Sequence, residues 1–155
     1  MIGIVAFSFA RHLINEPNPC NVRLAAEIER LIKGAEGSAL VVSQWEVNLA
    51  LPLGTAGYSV IEHRSLDEYL DSEEVMSQAA EFFRKHNITR VIVVAQPFLQ
   101  LAKCRKLART EGFTVIKKKI NKIGFYKDSS QWWTRGPVRL LAYAVLQILF
   151  GRRGK

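Results

Sequence analysis

Arg90-Val-Ile-Val-Val-Ala95, followed by Gln96-Pro97, is the stretch on which the fold turns. Its apolar, β-branched residues run without alternation, which suits a strand covered on both faces rather than one half-exposed to water. Pro97 then falls where the first turn of a helix begins, since proline's fixed φ suits that position and its missing N–H is not needed there. Upstream, Asp71 with Glu74 three residues later predicts a capped helix running to about Lys85, with Val75, Ala79, Phe82 and Phe83 as its apolar face. Downstream, the helix opened by Pro97 ends near Glu111 with Gly112 as its cap. Phe113–Ile116 follows as a strand, Ile120–Phe125 as a fifth, and Gly136-Pro137 opens a last helix.

The amino-terminal part repeats the pattern. Ile2–Ser8 is an uninterrupted apolar run, and Asn18-Pro19-Cys20-Asn21 is turn chemistry with Asn21 as a helix N-cap. Leu24, Ala25, Ile28, Leu31 and Ile32 recur at helical spacing, Gly34 closes that helix, and Ala39–Val42 is a second buried strand. Such a strand–helix–strand unit is almost always right-handed. Gln44 to Gly57 is irregular, and Tyr58–Glu62 alternates like a short edge strand. Repeats, low-complexity tracts and linkers are absent, so residues 1–155 read as one domain. The expectation is a three-layer α/β fold with a mostly parallel sheet, in which Ile2–Ser8, Ala39–Val42, Val91–Ala95 and Phe113–Ile116 are neighbours.

Composition narrows the function classes. The 155 residues are 48% hydrophobic and 23% charged, ordinary values for a folded core. Two cysteines, Cys20 and Cys104, read as reduced and structural, and they supply neither a disulfide scaffold nor a zinc ribbon. His12, His63 and His86 are scattered, so no metal site is expected. The start lacks a positive n-region and reads as no signal peptide. The longest apolar run, Val138–Phe150, has 13 residues, too few for a bilayer span of about 20. It reads as a helix packed on its own sheet, with a remaining face for a homodimer or a peripheral membrane contact; the expected location is the cytoplasm. The net charge of +8 is unevenly spread: residues 1–102 carry −4 and residues 103–155 carry +12.

In an open α/β sheet, ligands bind beyond the carboxyl ends of the strands where the strand order reverses. That rule selects Ser8, Arg11 and His12 after the first strand, Ser43, Gln44, Trp45 and Glu46 after the second, and Gln96 and Pro97 after Arg90–Ala95. The helix start after Gln96 offers backbone N–H groups and a positive dipole end to an anion. Ser129-Ser-Gln-Trp-Trp-Thr-Arg135 adds Gln131, Trp132 and Arg135, a stacking surface with a bidentate anion donor; the same tryptophans could instead pin the last helix. No Walker A loop, Gly-x-Gly-x-x-Gly or Gly-x-Ser-x-Gly elbow is present, and a Ser43–His12 pair lacks an identifiable third member. Lys117, Lys118, Lys119 and Lys122 have few interleaved aromatics, which argues against nucleic acid.

From Glu68 onward the chain resembles the SanA/YdcF-like family of bacterial proteins. The likeness rests on the Ser43-Gln44 strand end, Asp71-Ser-Glu-Glu74, Val91 to Phe98 with the helix bearing Cys104, Glu111-Gly-Phe-Thr-Val115, and Gln131-Trp-Trp-Thr-Arg135. The resemblance implies a doubly wound, Rossmann-like domain with a ligand cleft at the strand ends, for a nucleotide-like molecule, and an association with the cell envelope. The chain departs from the family where an early helix histidine is replaced by Leu99 or Gln100 and a following arginine by Lys103. Many members carry a membrane anchor ahead of the domain; none is expected here. The resulting expectation is a Rossmann-like domain binding an anionic, nucleotide-like small molecule, with no cofactor named and catalysis left open. The alternative is a non-catalytic interaction protein that turns its basic half to an acidic partner, a membrane surface or nucleic acid.

Overall fold

A computed structural model describes residues 1–11, 16–35, 39–53, 55, 58–61 and 70–150, of 58–61 and 150 the backbone alone. The elements are β1 (Ile2–Ala6), α1 (Pro19–Lys33), β2 (Ala39–Gln44), α2 (Trp45–Asn48), β3 (Tyr58–Ile61), α3 (Ser72–Lys85), β4 (Arg90–Val94), α4 (Gln100–Thr110), β5 (Thr114–Val115), a 3-10 turn (Trp132–Arg135) and α5 (Pro137–Phe150). The strands form one sheet in the order β3-β2-β1-β4-β5, and all four pairings are parallel. The four apolar runs are therefore neighbours, as their lack of alternation requires.

The connections β1 to β2 to β3 advance one way across the sheet, whereas β3 to β4 to β5 advance the other. Right-handed crossovers then put α1 and α2 on one face and α3 and α4 on the opposite face, and the contacts α1–α2 and α3–α4 agree. This is a Rossmann-like α/β domain whose strand order reverses between β1 and β4. Ile4, Val5, Val41, Val42, Val91 and Val93 fill the sheet, with Leu24 and Ile28 of α1 and Met76 and Phe83 of α3 in the same core. Gly3 owes its place to this packing. A Cβ there would lie 2.8 Å from the buried Phe83 ring, so the lone glycine of β1 makes room for α3 rather than for a phosphate.

The helix ends show where local chemistry prevailed over the sequence reading. Asn18, not Asn21, caps α1, accepting from Cys20 and Asn21 N–H at 2.9 and 3.0 Å. Proline then occupies the first helical position, and the cap lies three residues upstream of the expected one. Asp71 caps α3 as expected, accepting from Glu73 and Glu74 N–H at 2.8 and 2.9 Å. At the end of α4, Gly112 has φ +88°. The bonds Gly112 N–H to Arg109 and Phe113 N–H to Ala108 close the helix with the double hydrogen bond that such a left-handed glycine permits.

The chain beyond β5 departs from expectation. Ile120–Phe125 is not a strand but, with Lys119, a strap laid over α1, two of its carbonyls bonded by arginine side chains instead of a neighbouring strand. Arg23 Nη1 donates to the Ile123 carbonyl and Arg30 Nη2 to that of Lys119, both at 2.8 Å. Ile120 and Ile123 are buried beneath it. Nor does α5 pack on the sheet: its contacts are with the 3-10 turn, and Leu140 is its single buried residue among those described.

Candidate functional site

Buried polar side chains mark one edge of the sheet. The described residues include eight such side chains, and all but Glu27 lie at the carboxyl ends of the strands or in the segment fastened there: Asn18, Asn21, Ser43, Gln44, Gln96, Ser129 and Thr134. A polar group removed from water requires a partner, and for Gln44, Asn21 and Asn18 the partner is the chain leaving β1. Gln44 Oε1 accepts from Ser8 N–H at 3.0 Å, and Asn21 Oδ1 accepts from Phe9 N–H at 3.0 Å. Asn18 Nδ2 donates to the Ala10 carbonyl at 2.8 Å. From the other side of the reversal, Gln100 Nε2 donates to the Ser8 carbonyl at 2.8 Å while its Oε1 accepts from Gln96 N–H at 3.1 Å.

Ser8, Gln44 and Gln96 are thus brought together as the strand-end rule anticipates, joined by Gln100. Ser43 and Gln44 belong to β2 itself, which runs two residues beyond its expected end, and Glu46 stands in the first turn of α2. Burial raises the Glu46 carboxyl above its ordinary range, opposed by the Arg11 charge and by hydrogen bonding to Gln44 and Ser8. Glu46 Oε2 and the Ser43 hydroxyl are buried without hydrogen-bond partners among the described residues. A carboxyl so perturbed beside a cation, at a strand-order reversal, is the feature most suggestive of chemistry in this edge. His12 lies outside the described residues.

The helix after β4 begins at Gln100, not at Pro97. Gln96 folds back to accept from Phe98 N–H at 2.8 Å, so two amides of this turn are already bonded by glutamine side chains. Pro97 is exposed in the same turn. The amides that a dinucleotide-binding turn offers to pyrophosphate are likewise taken at the start of α1, by Asn18 and Asn21. Backbone amides at both of these turns are therefore already bonded by side chains.

The 129–135 segment reaches this edge through Arg11. Ser129 Oγ accepts from Arg11 N–H at 3.1 Å, and Ser130 N–H donates to the Arg11 carbonyl at 2.9 Å. Arg135 Nε donates to the Ser129 carbonyl at 2.7 Å, so part of the guanidinium holds the clasp. Gln131 donates its N–H to Ser129 Oγ at 3.1 Å. Trp133 stacks on Tyr143 of α5 with centroids 4.5 Å apart, and Trp132 meets both rings edge-on. The tryptophans do pin the last helix, while Trp132 stays 40% exposed.

Ser129, Gln100, Asn18 and Asn21 were absent from the sequence selection. Their signal was slight: a polar residue at the cap or in the first turn of a helix, or, for Ser129, the opening residue of a segment from which later residues were selected. A hollow of about 290 Å³ lies at the opposite edge, lined in part by Ile2, Gly34, Arg90 and Lys118. None of the buried polar residues lines it. Among the described residues no cluster of His, Cys, Asp and Glu suits a metal ion, and no helix is long and apolar enough to cross a membrane. No protein-family model matches the chain, and no curated protein matches it.

Proposed function

We propose that the carboxyl edge between β1 and β4 binds an anionic, nucleotide-like small molecule in the cytoplasm. The observation that carries this reading is the gathering of seven of the eight buried polar side chains at that edge. Arg11 supplies the charge, with exposed Arg135 behind it. Glu46 and Gln44, at the end of the second strand, occupy the place where dinucleotide folds put the acid that holds a ribose hydroxyl. Trp132 offers a stacking face, and Gln96, Pro97 and Gln131 form the rim with Ser8 and Ser43. The resemblance to SanA/YdcF-like proteins supports the same reading and adds the envelope as its setting. No reaction is assigned.

The test is calorimetric titration of the full chain with inorganic phosphate and with nucleoside mono-, di- and triphosphates. A phosphate-bearing nucleoside should bind, and Arg11→Ala should weaken it by about tenfold, or about 1.4 kcal/mol. Absence of binding at millimolar concentration, or binding indifferent to both Arg11→Ala and Glu46→Gln, overturns the reading.

A further inference from the structure

The side of α5 turned away from Leu140 is uncovered and apolar. Val138, Leu141, Val145, Ile148 and Leu149 are 78, 52, 45, 82 and 68% exposed. They recur every three or four residues, so they share one stripe. The 14 residues of α5 extend about 21 Å, short of the roughly 30 Å of a hydrocarbon core. This helix can lie on a bilayer but cannot span one.

The surroundings of the stripe carry one sign of charge. From Ser129 to Lys155 the sequence contains Arg135, Arg139, Arg152, Arg153 and Lys155 and no Asp or Glu. Arg135 and Arg139 are exposed, and Trp132, 40% exposed, lies in the 3-10 turn just ahead of the helix, against Tyr143 of α5. An apolar stripe bordered by cations with a tryptophan at its rim is the composition of a helix lying in an anionic membrane interface. A second copy fits less well, because pairing α5 on α5 sets the same cations against each other.

We propose that α5 docks the protein on an anionic lipid surface, with Val138, Leu141, Val145, Ile148 and Leu149 in the acyl boundary and Arg135 and Arg139 at the headgroups. The stripe lies away from Leu140, the residue of α5 that joins the core, so docking leaves that contact as it is. The proposal does not depend on the ligand read for the carboxyl edge.

The test is co-sedimentation of the full chain with vesicles of phosphatidylcholine alone and of phosphatidylcholine with phosphatidylglycerol at about two to one, with tryptophan emission as a second readout. Partition onto the anionic vesicles should exceed that onto neutral ones by about tenfold, and should fall in about 1 M salt, where screening shortens to about 3 Å. Arg139→Gln should cost about fivefold. The double variant Val145→Asp/Ile148→Asp, at exposed positions, should keep its circular dichroism and lose about tenfold or more. Equal recovery on both vesicle types overturns the proposal, as does binding untouched by the double variant, which would indicate diffuse charge. A concentration-dependent dimer, abolished by the double variant and unaccompanied by vesicle binding, also overturns it and gives the stripe to a second copy.

Discussion

Gln100 of α4 donates its side-chain amide to the carbonyl of Ser8 at 2.8 Å, which ties the exit of β1 to the turn after β4 at the reversal of strand order. Its other amide atom accepts from Gln96 N–H, so one side chain satisfies a backbone acceptor and a backbone donor from two strands. Gln100→Ala leaves both without their partner, and a part-buried group in that condition costs about 1–3 kcal/mol. Gln100→His keeps a ring nitrogen that can serve one of the two and should lose less. Urea unfolding of the two variants checks the order, with Gln100→Ala the less stable.

A second expectation concerns Gly3. Its absent Cβ is replaced by the ring of Phe83, whose Cε1 and Cζ would lie 2.8 Å from an alanine methyl group. Phe83 is fully buried and meets Phe113 edge-on at 5.9 Å, so its ring has little freedom to retreat. Gly3→Ala should destabilise by about 1–3 kcal/mol, the ordinary cost of overpacking a core. Adding Phe83→Leu should make the alanine less costly than it is in the parent. A double-mutant cycle showing simple additivity would contradict the contact.

Glu46 links stability to pH. Burial raises its carboxyl, so the folded chain holds that proton more tightly than the unfolded chain does. The stability from this preference is complete below the ordinary carboxylate range and is lost as pH rises through the folded value. Glu46→Gln removes the buried charge and should stabilise at neutral pH by about 1–3 kcal/mol, the scale of an unsatisfied buried group. The gain should vanish in acid, where both chains are neutral at this position. Thermal unfolding at pH 7 and at pH below the carboxylate range reads the difference, and the same variant should weaken the ligand proposed for this edge.

The architecture was legible because its determinants are local or periodic. Val91–Ala95 could only be a strand buried on both faces, and Asp71 could only cap the helix it precedes. The strap could not be read this way. Ile120 to Phe125 has a strand's composition, yet the carbonyls of Ile123 and of Lys119 just before it are taken by Arg23 and Arg30, 100 and 89 positions away in sequence. The same limit applied at the site. Strand-end geometry picked out Ser8, Gln44, Glu46 and Gln96, whereas Ser129 became visible only once its bonds to Arg11, across 118 positions, were seen. The expectation of free amides after Gln96 failed because glutamine side chains are long enough to bond them, and residue type alone does not say which way such a side chain turns.

The last expectation separates a local anion site from the basic surface as a whole. Arg135 lies next to the Ser129 clasp on Arg11, whereas Lys117, Lys118 and Lys119 are exposed along the strap. For a phosphate-bearing ligand at the carboxyl edge, Arg135→Ala should weaken binding by about 1.5–3 kcal/mol, the range for a hydrogen bond to a charged group. Part of that loss is indirect, since removing Arg135 Nε also frees the Ser129 carbonyl and loosens the hold on Arg11. Neutralising the three lysines together should change the affinity much less, because exposed charges are screened within about 8–10 Å. Nucleic acid would reverse the ranking: affinity would fall linearly in log salt, and each lysine removed would lower that slope by about one. Titrating a nucleotide and a short duplex against both variants at two salt concentrations distinguishes the cases. If the triple lysine variant loses binding while Arg135→Ala retains it, the working surface is the strap and not the carboxyl edge.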